Sequence, residues 1–352
     1  MFLSFSLAVQ CSIHITSSTR AYIHRAHPSS YLIQLPKMHF QSLAIVTLGA
    51  LAAPITAQAL RGFTYGSTAF DGSCQGYQGF RTLFERAKNL EGTSGFTAAR
   101  LYTSIQCGTT AAPIEAYKAA IDTNTKIMVG LWASAGREIF ENEVNALRAA
   151  ATTLGMAFMD LVVGISVGSE DLYRSSPEGM ENNAGKGATA EEIEGYIGWL
   201  RDWTKGTILE GIPITHVDTW TAWVRPENQG VIQALDFLGH NSFPYFEGTH
   251  PNAIEKASEN FFSAVAATES VAQGKPVWIT ETGWPDTGAL LRDALPSLAN
   301  AKAYWKTVGC SLFGHRNTFW HTLIDGASNE SELSFAITPP FSAKPKFDLS
   351  CS

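Results

Sequence analysis

Charge is scarce in this chain, and positive charge scarcer still. Of 352 residues, 16% are charged, and 25 Lys and Arg stand against 32 Asp and Glu for a formal net charge of -7. Nucleic acids and anionic membranes are held by clustered cations, so neither is an expected partner. The apolar run from Leu43 to Ala53 falls well short of the roughly 20 residues that cross a bilayer. None of the four cysteines after residue 59 lies in a Cys-x-x-Cys pair or near a His at ligand spacing, which speaks against the usual zinc sites; no metal and no cofactor is expected. No linker or low-complexity stretch divides the chain after its first 59 residues, so a single domain is expected there.

What the chain does contain is apolar and aromatic. Hydrophobic residues make up 45% and aromatics 11%, with nine Trp, enough for a large core and a supply of flat rings suited to a neutral substrate such as a sugar. Residues 38–59 resemble a signal peptide, with Met38 leading into the apolar run and Ala57-Gln58-Ala59 offering small residues for cleavage. Residues 1–37 read as an upstream extension outside the working protein, and residues 60–352 as the domain. Export would leave Cys74, Cys107, Cys310 and Cys351, an even number suited to two disulfides. Asn329-Glu330-Ser331 is a glycosylation acceptor. The C-terminal tail lacks the apolar stretch of a lipid-anchor signal. The expected protein is a secreted or wall-associated monomer without a membrane anchor.

From Gly62 onward, eight β-prone runs alternate with helical periods. The runs are 62–65, 97–102, 126–132, 161–167, 214–219, 237–241, 276–280 and 317–323; helices are predicted at 77–89, 113–124, 137–154, 190–205, 254–272 and 291–308. Such alternation implies parallel strands with crossover helices, and eight repeats imply a single (β/α)₈ TIM barrel. A doubly wound sheet shares the alternation, but Gly62-Phe63-Thr64-Tyr65-Gly66-Ser67 lacks its glycine fingerprint. In the barrel, Cys74 and Cys107 follow neighbouring strands at one mouth, and Cys310 and Cys351 would tie the tail to the last helix; those two pairings are expected.

Two apolar runs end on a carboxylate. Leu161 through Ser169 leads to Glu170, and Pro276 through Thr280 leads to Glu281. The C-terminal ends of barrel strands converge on one mouth, where reacting groups come from different strands. Either Glu alone could cap its strand or pair with an Arg. Two together suggest glycoside cleavage, which needs one protonated carboxyl and one ionised partner. Tyr65, Tyr102, Trp132, Tyr173, Trp220, Tyr245, Trp284 and Trp320 follow or end strands and are candidates for a sugar groove, with Tyr102, Tyr245 and Trp284 preferred. Arg100 either keeps Glu281 ionised or is simply a buried ion-pair partner. His216 and Asp218 are read as polar groups at a strand end, with His216 a satisfied core residue.

Several segments carry a resemblance. Gly62-Phe63-Thr64-Tyr65-Gly66, Arg100-Leu101-Tyr102, Gly130-Leu131-Trp132, Val167-Gly168-Ser169-Glu170, Asn241-Ser242-Phe243-Pro244-Tyr245-Phe246 and Trp278-Ile279-Thr280-Glu281-Thr282-Gly283-Trp284-Pro285 resemble the β-1,3-glucanases of glycoside hydrolase family 17, in their fungal cell-wall branch. The resemblance spans about residues 60–352. It implies retaining endo-cleavage of β-1,3-glucan, with Glu170 as acid/base and Glu281 as nucleophile; glucanosyl transfer on the same pair and a non-catalytic glucan-binding role are the alternatives. Two positions depart from the family pattern. Ser169 stands where many relatives place an Asn that holds the sugar 2-hydroxyl. Phe243 stands where many have Tyr, so Tyr245 or Tyr102 would have to offer the nucleophile a hydroxyl.

Overall fold

The computed structural model describes residues 58–326 and 333–351. Residues 1–57, which include most of the expected signal segment 38–59, and the expected glycosylation acceptor Asn329 lie outside the described residues. Within the unit Thr56–Ser352, eight parallel strands close a barrel in sequence order. They are β1 (Arg61–Tyr65), β2 (Ala98–Leu101), β3 (Lys126–Leu131), β4 (Val162–Ser169), β5 (Ile214–Thr219), β6 (Leu238–Asn241), β7 (Val277–Glu281) and β8 (Thr318–Trp320). Closure is made by β1 on β8, where Gly62 registers with Phe319 and Phe63 with Trp320. The predicted TIM barrel is the observed fold.

Alternation along the strands separates two surfaces. Phe63, Ala99, Leu101, Ile127, Val129 and Leu131 join the main core with the helices. The intervening residues Ala98 and Met128 join Val217, Phe237 and Phe319 in a small second cluster, packed by Val163 and Trp278. That cluster is drawn from strands or their flanks, as the filled interior of a barrel requires. Gly130 has no alternative here: a Cβ would lie 2.1 Å from the Leu101 carbonyl oxygen on the neighbouring strand.

The crossover helices follow their apolar periods. Helix Arg137–Leu154 matches its predicted span, and helix Ala190–Thr204 begins at a reciprocal cap between Thr189 and Glu192. The predicted helix at 291–308 starts instead at Leu298. Pro296 disfavours a helical residue before it, Leu291 and Ala294 close a tight turn, and the Ser297 hydroxyl caps the new start by accepting from the Asn300 amide. A short helix at Gln229–Ala234, between β5 and β6, spans only six residues, too few to show a helical period in the sequence.

Both expected disulfides are present. Cys74–Cys107 joins the loops after β1 and β2, and Cys310–Cys351 fastens the tail. Loops of 33 and 41 residues correspond to about 3–4 kcal/mol each in the chain-entropy account. The tail is also held by Trp305 Nε1 donating to the Leu349 carbonyl at 2.9 Å and by Lys306 beside Asp348 at 3.1 Å. No helix among the described residues is long and apolar enough to cross a membrane.

Candidate active site

The C-terminal strand ends open into a cavity of about 320 Å³ lined by Tyr102, Trp132, Ser169, Glu170, Arg174 and Glu281. Glu170 is carried on a sharp turn beyond β4. Gly168 has φ 80° and Glu170 φ 60°, a left-handed conformation that costs a non-glycine residue about 1–3 kcal/mol. At Gly168 a Cβ would sit 2.1 Å from Asp171 Oδ2, so both the backbone angle and the contact demand glycine. The turn is fixed by the Glu170 amide donating to the Val217 carbonyl at 2.7 Å and the Ser169 amide donating to Asp171 Oδ2 at 2.7 Å.

The Glu170 carboxyl has one firm partner. Asn241 Nδ2, from the end of β6, donates to Oε1 at 3.0 Å, while Thr280 donates to Asn241 Oδ1 at 2.8 Å and thereby fixes the amide's orientation. Arg174 stands 3.5 Å away and is about a third exposed, too loose to hold the charge strongly. Burial, reinforced by the neighbouring Glu281, pushes the Glu170 carboxyl up to about 7. It therefore holds a proton that it can deliver.

Glu281 ends a regular strand and meets a different environment. Burial pushes its carboxyl up, but the Arg100 guanidinium, with help from the Tyr102 hydroxyl, outweighs burial and leaves it below the ordinary carboxylate range. Arg100 is buried in β2 and contacts Glu281 Oε1 directly. Its other terminal nitrogen donates to Ser169 Oγ at 2.9 Å, and its guanidinium lies 4.8 Å from the Tyr102 ring centre. Of the two readings for Arg100, the geometry supports the one that keeps Glu281 ionised. Ser169 is thus committed to Arg100 and also faces the cavity.

The expected sugar-contacting aromatics divide. Tyr102 lines the cavity with Glu281, and of the two tyrosines considered for the nucleophile it is the one whose hydroxyl helps to lower the Glu281 carboxyl. Tyr65, Tyr245 and Trp284 do not reach the cavity; they belong to the main core. Tyr65 packs edge-on against Phe84 at 5.0 Å, and its buried hydroxyl has no partner among the described residues. Tyr245 donates to the Ala289 carbonyl at 2.7 Å and Trp284 to the Leu295 carbonyl at 3.1 Å. These three assignments are corrected to packing residues. Strand parity held the signal: Tyr65 shares the helix-facing set of Phe63, whereas Tyr102 and Trp132 continue the inward sets of Arg100 and Gly130. Trp132, 49% exposed, lines the cavity and is the ring that parity would have favoured.

Asn241, Thr280, Arg174 and His321 went unnamed as site residues. His321 follows β8, lies 3.0 Å from Thr64 Oγ1 and 3.4 Å from the Tyr102 hydroxyl, and is itself held below the ordinary imidazole range by burial. No group of three or more His, Cys, Asp or Glu among the described residues is arranged to hold a metal.

A closed eight-stranded barrel whose fourth and seventh strands deliver a proton-holding and an ionised carboxyl to one cavity defines the class of barrel glycoside hydrolases. Within that class, the model of the BtgE/BtgC glycoside hydrolase domain matches residues 62–334, and the chain belongs to that family. It is 51% identical over 86% of its length to the "Probable glucan endo-1,3-beta-glucosidase eglC" of Aspergillus fumigatus, and 49% identical over 86% to that of Aspergillus oryzae, spanning 68% and 65% of those proteins. The match therefore covers about two thirds of the length of these relatives. Among solved structures, the glycoside hydrolase family 17 β-1,3-glucanosyltransferase of Rhizomucor miehei aligns with a TM-score of 0.67 and 23% identity, over 83% of this chain and 97% of that one; this likeness concerns the fold.

Proposed function

We propose that the chain is a secreted, retaining endo-β-1,3-glucanase of glycoside hydrolase family 17 that acts on cell-wall glucan. The observation that carries the reading is the opposite proton affinity of two carboxyls lining one cavity. Ionised Glu281 attacks the anomeric carbon while Glu170 gives its proton to the leaving glycosidic oxygen. Glu170, now ionised, then takes a proton from water as that water cleaves the glycosyl–enzyme, restoring both groups. Tyr102 and Trp132 supply ring surface for neighbouring sugars. The names of the Aspergillus relatives support the substrate, and the leader-like segment at 38–59 supports export.

Transfer to a sugar hydroxyl would use the same pair, with acceptor in place of water. Incubating purified protein with reduced laminari-oligosaccharides, sizing the products and following their anomeric form by NMR tests the proposal. Shorter products released in the β-form are expected. Longer products would mean transfer, α-products would refute retention, and no products with binding retained would leave a glucan-binding protein.

A further inference from the structure

Beneath the turn that carries Glu170 lies a group of ionisable side chains that the proposed reaction does not use. His216 and Asp218, both on β5, and Asp171, just after Glu170, are all fully buried. His216 Nδ1 is 2.6 Å from the Val167 carbonyl oxygen and Nε2 is 2.9 Å from Asp218 Oδ2. A carbonyl can only accept, so Nδ1 must carry a hydrogen. Asp218 also accepts from the amides of Leu172 at 2.9 Å, Tyr173 at 3.4 Å and Thr219 at 2.8 Å, an array of donors that suits an ionised carboxylate. Nε2 must then donate as well.

Resting on the assignment of Glu170 as acid/base, we propose that His216 is a doubly protonated imidazolium paired with ionised Asp218, and that this buried pair positions the turn presenting the Glu170 proton to the leaving oxygen. The chain of contacts is short. Asp218 grips the amides of Leu172 and Tyr173, two and three residues after Glu170, while His216 grips the Val167 carbonyl immediately before Gly168. Both sides of a strained turn are therefore tied to one strand, and strained conformations persist only when their surroundings over-determine them.

The groups facing His216 agree with this charge. Asp218 lies on its own strand, Asp171 approaches from the turn after β4, and the edge-on Trp223 ring lies 5.7 Å away. Burial lowers the affinity of His216 for its second proton, but Asp218 and Asp171 overcome it and leave the imidazole above its ordinary range. Asp218 in turn adds to the negative field that keeps Glu170 protonated. His216 and Asp218 are positioning residues, since neither lines the cavity.

The test has two independent arms. In protein labelled with ¹⁵N-histidine, with His216→Gln used to assign the signal, both His216 ring nitrogens should carry slowly exchanging protons from pH 5 to 8. An unprotonated ring nitrogen at pH 6 would overturn the ion pair. In the second arm, Asp218→Asn sets an amide donor where donors converge. It should lower kcat/KM for laminari-oligosaccharides about 100-fold yet leave that for laminaribiosyl fluoride, whose departure needs no proton, within about threefold, because the defect lies in acid catalysis. Equal losses on both substrates in a folded variant, or no loss on either, would refute the positioning role. If Asp218→Asn fails to fold by circular dichroism, the histidine spectrum decides. Glu170→Gln assayed in parallel separates the two readings: if it still cleaves oligosaccharides, the acid/base assignment has failed, whereas the NMR result bears on the ion pair alone.

Discussion

The ends of β4 and β7 present the same residue type to the same cavity by opposite means. At β7, Glu281 sits on regular strand backbone and owes its charge to the buried guanidinium of Arg100. At β4, Glu170 sits on left-handed backbone, has a neutral amide as its firm partner and keeps its proton because burial and Glu281 disfavour a second charge. One end invests in electrostatics and the other in backbone geometry. Proton affinity is thus set by burial and by charged neighbours, Arg100 from β2 for Glu281 and Glu281 itself for Glu170, not by the residue type.

The most damaging way to erase this difference is to remove its cation. Arg100→Met leaves Glu281 buried without its counter-ion, and breaking a buried pair in this way costs about 3–5 kcal/mol. Activity should fall at least about 10³-fold, and the acid limb of kcat/KM should move to higher pH because the main influence lowering the Glu281 carboxyl is gone. Urea denaturation and a pH–rate profile measure the two effects; an unmoved acid limb would mean that Arg100 does not hold the charge.

Asn241→Ala acts on the other carboxyl and should cost about 100-fold in kcat/KM. Its amide favours the ionised form of Glu170, so its loss should move the alkaline limb, expected near pH 7, upward while the acid limb stays in place. A variant that shifts both limbs together would show that the two ends are not separately controlled.

How much of this asymmetry was legible beforehand follows from how local its causes are. Glu170 and Glu281 stood out because each terminates an apolar run, and the cysteine pairings followed from strand order. Asn241 and Thr280 are adjacent to Glu170 only through the registers linking β4 through β7, which no single segment encodes. The left-handed turn left a trace at Gly168, yet its dependence on Asp171 and Asp218 is tertiary. Tyr65, Tyr245 and Trp284 were misplaced because proximity to a strand end says nothing of which way a side chain points; for Tyr65, parity with Phe63 would have.

Backbone strain offers a milder probe of the β4 end. Gly168→Ala adds a Cβ against Asp171 at a position of positive φ, and a loss of about 2–4 kcal/mol is expected, measurable as a lower urea midpoint. An equally stable variant would contradict the claim that Glu170 is held by a turn only glycine permits.

The smallest expected effect is the pH dependence of stability. Glu170 and the buried Glu143, which accepts the Ser104 amide at 2.6 Å, are both pushed up to about 7, chiefly by burial. A carboxyl raised on folding stabilises fully below the ordinary carboxylate value, and that contribution is lost as pH rises through about 7. Glu281, lowered on folding, contributes stability above the ordinary value that is lost as pH falls through its lowered one. The melting temperature should therefore decline between pH 5 and 8, and Glu143→Gln should flatten that decline; an unchanged slope would remove Glu143 from the explanation.

The division of labour itself is tested most directly by the stereochemistry of chemical rescue. Glu281→Ala should lose turnover of ordinary glucan, and added azide should fill the vacated space and convert an activated β-glycosyl fluoride to the α-azide. Glu170→Ala should still form the glycosyl–enzyme from that fluoride, stall, and with azide release the β-azide. Those two opposite configurations, assigned by NMR, are the expected result; exchanged configurations would reverse the roles of the carboxylates, and full activity in both variants would place the chemistry elsewhere.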